Sequence, residues 1–161
     1  MSLLPAHLPQ DVQGASAYIY TVETPTSDDL KVMVCLEAAG QGFYAAFAEA
    51  APNDEVRAIM AKNGQEELGH AHRVSRALKL VFDEDFAVPE PADNPYYAKP
   101  PGMTITPDLL NGIAAGEIAG DALYEKWAAN LGHDDAARLL RQNGKEEKGH
   151  GDRMQRAAAL L

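Results

Sequence analysis

NGQEELGHAHRV (residues 63–74) and NGKEEKGHGDRM (residues 143–154) are two versions of one segment. Each contains Glu-Xaa-Xaa-His, as Glu67/His70 and Glu147/His150, and each follows a further glutamate 30 residues upstream, Glu37 or Glu117. All three equivalences share one offset of 80 positions. Aligned without a gap, residues 37–76 and 117–156 are identical at 14 of 40 positions. Unrelated stretches of ordinary composition would share roughly two to four. The chain therefore reads as two copies of one unit.

The start signals repeat too. Thr26-Ser27-Asp28 aligns with Thr106-Pro107-Asp108. Thr serves as N-cap, Pro107 as first helical residue, and Asp as a first-turn acid facing the helix dipole. The pattern predicts helices over 26–51, 53–82, 106–131 and 133–160, with breaks at Pro52 and at Leu131-Gly132. Residues 83–105 contain five prolines and cannot continue a helix. A connection that long suits a crossover between two antiparallel hairpins packed side by side. The expected fold is all-α: an antiparallel four-helix bundle (26–161) made of hairpin 26–82, crossover 83–105 and hairpin 106–161. Residues 1–25 carry no motif and read as an N-terminal arm on the bundle surface.

On a helix, positions i and i+3 lie about 60° apart and one turn along, so Glu67 and His70 can reach the same ion. Glu147 and His150 repeat this, and Glu37 and Glu117 add one carboxylate each. Four carboxylates and two imidazoles form the ligand set of a dinuclear iron or manganese site in a helical bundle. Mixed oxygen and nitrogen ligation suits two Fe ions or Mn, and Zn can occupy the same ligands in a purified sample. Without metal, four buried glutamates would repel and take up protons.

Several neighbours share the repeat. Tyr44 and Tyr124 follow Glu37 and Glu117 by seven residues, two turns on, where a phenol can hydrogen-bond a ligand carboxylate, donate an electron, or simply pack. Gln41 and Asp121 are candidates to accept the second N–H of a metal-bound histidine. Gly40 and Gly120 stand one turn after the same glutamates, where a missing side chain would leave an open position for an oxidant. Glu66, Arg73, Glu146 and Arg153 read as ion-pair partners rather than ligands. His7, His72 and His133 fall outside the pattern.

Composition narrows the rest. Hydrophobic residues form 46% of the 161, enough for a single core, and the net charge of −10 argues against nucleic acid. One cysteine, Cys35, excludes an internal disulfide and any CxxC metal site within this sequence. No secretory signal or membrane span is evident, so a cytoplasmic location is expected.

The ligand pattern, with GEIAGDALYEKW (116–127) and NGKEEKGHGDRM (143–154), resembles the ferritin-like superfamily, and within it the rubrerythrins and the demethoxyubiquinone hydroxylases. The resemblance covers about residues 26–160. It implies a di-iron centre that activates dioxygen or hydrogen peroxide for oxidation or hydroxylation, with an unknown small-molecule substrate or electron donor and a homodimer as compatible assembly. Two departures point away from a peroxidase of the usual rubrerythrin type. Gly120 stands where those proteins carry an extra glutamate, and no rubredoxin module accompanies the bundle. Alternatives are a ferroxidase or iron-storage protein and a metal-binding bundle without turnover. A storage shell usually has a less symmetric ligand set.

Overall fold

The computed structural model describes residues 3–97 and 102–161. Among them are five α-helices and no strand: α1 (Val12–Ile19), α2 (Ser27–Ala50), α3 (Asp54–Phe82), α4 (Pro107–Asn130) and α5 (Asp134–Ala158). The last four match the expected helices to within two residues at each end. Helix α2 packs along α3, α4 along α5, and α3 against α5. Helices α2 and α4 make no close backbone approach. None of the helices is long and apolar enough to cross a membrane.

The boundaries have local causes. Thr26 accepts from Asp29 N–H, and the Asp29 carboxylate accepts from Thr26 N–H at 2.7 Å, a reciprocal cap. Asn53 caps α3, and Thr106 caps α4 with Pro107 in its first turn. His133 caps α5 by accepting from Ala136 N–H, a role that places it away from any metal. Between α4 and α5 the chain reverses at Gly132, whose φ of 67° is the left-handed conformation that glycine adopts without steric cost.

Two apolar cores lie above and below a polar layer. One holds Leu30, Val34, Val74, Leu78, Leu123, Trp127 and Leu140; the other holds Phe47, Val56, Met60, Leu110 and Met154. The glutamates and histidines of the repeat fall between these stretches on every helix. The sandwiching apolar layers fix helix spacing at the height where charges meet.

The N-terminal segment corrects the expectation of a surface arm. It forms α1, and Leu4, Leu8, Ala15 and Ile19 are buried in the first core. Its end is latched to α4, since Trp127 Nε1 donates to Val22 O at 3.0 Å and Asn130 to Glu23 O at 2.9 Å. The signal was weak because a short helix between turns has little periodicity to read.

Of the expected crossover, residues 98–101 lie outside the described residues. The part before them follows α2. Glu84 accepts from Ser27 and pairs with Lys31 at 2.5 Å. Further on, Asn94 donates to Cys35 O at 2.8 Å and accepts from Tyr96 N–H at 2.9 Å. The Tyr97 ring fills the space beside Gly42, where a Cβ would come within 2.0 Å of a ring carbon. Asn94 is buried, so Asn94→Ala leaves the Tyr96 N–H without its partner inside the protein and removes the second hydrogen bond to the Cys35 carbonyl. We expect a loss of about 1–3 kcal/mol in urea unfolding; an unchanged midpoint and slope would show that the contact contributes nothing.

Candidate metal centre

The six residues singled out by the repeat meet in the polar layer. Helical spacing points Glu67 and His70 inward from α3, and Glu147 and His150 inward from α5. Ligand atoms of these four buried residues all lie within 4.8 Å of one another. Glu37, from α2, places Oε2 3.4 Å from His70 Nδ1. Glu117, from α4, places Oε2 3.6 Å from His150 Nδ1. Glu67 and Glu147 each turn one oxygen to each histidine. Glu67 lies 3.0 Å from His150 Nδ1 and 3.7 Å from His70 Nδ1. Glu147 lies 3.0 Å from His70 Nδ1 and 3.5 Å from His150 Nδ1. The two imidazole rings stack with centroids 5.1 Å apart.

Each histidine is oriented from another helix, His70 from α5 and His150 from α3. His70 Nε2 lies 3.1 Å from Glu146, and His150 Nε2 lies 3.1 Å from Glu66. Those carboxylates are held in turn by arginines: Arg73 donates to Glu146, and Arg153 to Glu66. Arg73 Nε also donates to Asn143 at 2.5 Å, and Arg153 Nε to Asn63 at 2.6 Å. Asn143 closes its ring by donating to His70 O at 3.2 Å, whereas Asn63 Nδ2 has no partner. The histidine acceptors are thus Glu146 and Glu66, not Gln41 and Asp121. In the neutral form that ligation requires, an Nε2–H that donates to a carboxylate leaves the Nδ1 lone pair facing the cluster. Both Nδ1 atoms are buried and lack a hydrogen-bond partner, although carboxylate oxygens crowd them. Orphaned nitrogens facing four carboxylates are what a cation-binding donor set requires, so the residues present fit a metal.

The tyrosines act across the bundle. Tyr44 of α2 donates to Glu117 of α4, and Tyr124 of α4 donates to Glu37 of α2. Burial and the surrounding carboxylates push both phenols well above their usual range, so they remain O–H donors. The sequence placed each tyrosine on the face of its own glutamate; the structure joins it to the equivalent glutamate on the other of the two helices.

The two kinds of carboxylate differ electrostatically. Burial pushes all four up. At Glu37, His70 and Tyr124 among its partners outweigh burial and hold the carboxyl below its usual range. Partners including His150 and Tyr44 likewise hold Glu117 down to about 2. For Glu67, burial and the charge of Glu147 prevail, and its pKa stands well above the usual range. Burial and the charge of Glu37 raise Glu147 to about 7. Burial alone would lower both histidines. Glu147 and Glu37 instead raise His70 to about 11, and Glu117, Glu147 and Glu67 raise His150 to about 12.

The glycines have specific neighbours. A Cβ at Gly40 would lie 2.9 Å from Glu67 Oε2, and one at Gly120 would lie 3.3 Å from Glu147 Cγ. The space expected for an oxidant is taken by the shared carboxylates themselves. Gly64 admits Tyr44 Cβ, and Gly144 admits Tyr124 Cβ. Sequence reasoning missed Asn63, Asn143 and Tyr20. The asparagines carried a signal, since both are in the repeat. Tyr20 carried none; it is half-exposed, yet burial and the charges of Glu147, Glu117 and Glu37 raise its pKa.

The helical bundle thus encloses a buried Glu/His cluster that could hold a metal ion. The family model for Rubrerythrin matches residues 29–158, and the chain belongs to that family, a di-iron family of the ferritin-like superfamily. No significant match was found among curated proteins or among solved structures.

Metal ligation needs neutral imidazoles, and both histidines are protonated at neutral pH in the metal-free cluster. Loading with Mn(II) should therefore release at least one proton per ion in weakly buffered solution, and affinity should fall as pH falls. Pronounced pH independence between 6 and 8 would contradict these protonation states. A second expectation concerns Gly40→Ala. It should weaken metal binding by displacing Glu67, and the crowding against that buried side chain offsets the roughly 1 kcal/mol that alanine adds in helix propensity. Gly120→Ala, with its looser contact, should weaken binding less; titration calorimetry compares the two.

Proposed function

We propose that the chain binds two first-row transition-metal ions, iron in the active form, and uses them to activate dioxygen or peroxide for oxidation or hydroxylation of a small molecule. In this reading Glu37 and His70 hold one position, Glu117 and His150 hold the other, and Glu67 and Glu147 are shared. The single observation that carries it is the pair of orphaned Nδ1 atoms, each facing three carboxylates from three helices. Family membership supports iron over zinc, though manganese suits the same donors. The two hairpins joined by a crossover along α2 belong to the same reading, supported by the contacts of Glu84, Asn94 and Tyr97.

Bound iron would supply the electron-transfer steps with the oxidant. The chain's own residues have separate tasks. Four carboxylates neutralise two divalent cations, so a loaded centre is near charge balance. Glu146 and Glu66, fixed by Arg73 and Arg153, hold the imidazoles and strengthen their donor nitrogens. Tyr44 and Tyr124 hold Glu117 and Glu37 in place, and their hydroxyls are the nearest proton donors to those carboxylates. The apolar layers above and below keep water from the centre.

The test is anaerobic reconstitution with Fe(II) followed by dioxygen or hydrogen peroxide. Two equivalents of iron and oxidation faster than that of free Fe(II), with transient visible absorption, are expected. Oxidation no faster than the free ion would sink the redox reading. Glu67→Ala combined with Glu147→Ala should leave less than one bound equivalent while the helical content persists.

A further inference from the structure

The two halves of the centre are equivalent in sequence but not in cover. Glu37 is 8% exposed and its counterpart Glu117 is 15% exposed. The difference comes from what lies on α2 and on α4. Helix α1 and residues 84–97 pack over α2, where Val32 and Cys35 are fully buried. Their counterparts on α4, Gly112 and Ala115, are exposed. At its C-terminal end α4 is covered by residues 20–23, latched to Lys126, Trp127 and Asn130. At its N-terminal end Met103, Ile105, Leu109 and Ile113 pack against the second core. The stretch between them, at Glu117, has no such cover among the described residues.

One substitution within the repeat deepens this gap. Leu36, which precedes Glu37, packs against the first core. Its counterpart, which precedes Glu117, is Gly116, and a Cβ built there meets nothing within 4 Å among the described residues. Ile118, on the other flank of Glu117, touches Gly151 of α5. Gly116 lies about 100° round the helix in the opposite sense, and so borders the seam between α4 and α2. That seam is the one where the helices do not approach closely. Across it the hydrogen bonds Tyr44–Glu117 and Tyr124–Glu37 are the ties between the two helices, and Gly40 and Gly120 stand between those ties.

We propose that Gly116 keeps the α2–α4 seam open at Glu117, and that metal ions and small reactants reach the centre by that route, at the position of Glu117 and His150. The inference rests on the metal reading above. Gly116 touches no ligand atom; it is an access-determining residue. The opposite side, at Leu36 and Glu37, is closed by a packed side chain.

The experiment loads the full chain with Mn(II) and follows its release to EDTA by electron paramagnetic resonance. Gly116→Ala, Gly116→Val and Gly116→Leu give α4 progressively the side chain that α2 has at position 36. Space around the position lets each fold, which circular dichroism checks. Bound Mn(II) at equilibrium should stay at two equivalents, and release should slow with side-chain size, by roughly threefold or more for Leu, as a gating step predicts. Gly112→Leu, one turn away and also in open space, should release metal like the wild type. Wild-type rates in the whole Gly116 series, or equal slowing by Gly112→Leu, would overturn the proposal and leave the metal reading intact. A wild-type chain that retains less than one equivalent of Mn(II) would overturn both.

Discussion

Four carboxylates and two imidazoles share one buried layer, and the need to balance their charge governs the structure around them. Buried carboxylates that are all ionised repel strongly, and the dry interior gives little screening. In the metal-free chain the balance is struck with protons. Both histidines are cationic over the neutral range, Glu67 is raised well above its usual range, and Glu147 titrates near neutrality. Two divalent ions would replace those protons charge for charge. The pocket that protons stabilise is therefore already shaped for cations.

The same constraint explains why the helices interlock. His70 of α3 leans on Glu146 of α5, and His150 of α5 leans on Glu66 of α3. The upstream glutamates are tied in the same way, since the tyrosine bonds run from α2 to α4 and back. Four side chains from four helices are thus held by partners on another helix. The geometry of the Glu/His cluster and the packing of the helices are therefore coupled, which is the arrangement that resists partial loss. Removing an outer carboxylate frees both an arginine and an imidazole, and buried charges left unpaired cost far more than the pair contributed.

Much of this was legible in the sequence, for a physical reason. An i, i+3 pair on a helix has only one relative placement, and a repeated unit with an ungapped turn places its copy the same way. Helix ends were equally legible where Thr26, Asn53, Thr106 and Pro107 supply the caps. What periodicity cannot show is which residue a side chain meets on another helix. The spacing shows that each tyrosine lies on the face that meets a cluster carboxylate, but not which carboxylate, and the structure pairs Tyr44 with Glu117 and Tyr124 with Glu37. Gln41 and Asp121 were plausible acceptors by spacing, yet Glu66 and Glu146 stand nearer the rings because the α3–α5 contact is the close one. Gly40 illustrates the same limit, since its missing side chain makes room for Glu67 rather than for an oxidant.

Symmetry in such a centre is a property of the ligands, not of their surroundings. The repeat keeps the cluster residues and the residues that orient them, but α2 and α4 face different outer layers. Burying α2 beneath α1 and residues 84–97 required side chains such as Val32, Cys35 and Leu36 to fill that interface. Among the described residues nothing of the kind packs on α4 near Glu117, where Gly112 and Gly116 lie in open space. Gly116 forgoes roughly 1 kcal/mol of helix propensity relative to alanine. A purely structural position would gain by replacing it, whereas one that borders the proposed route to the Glu/His cluster would not.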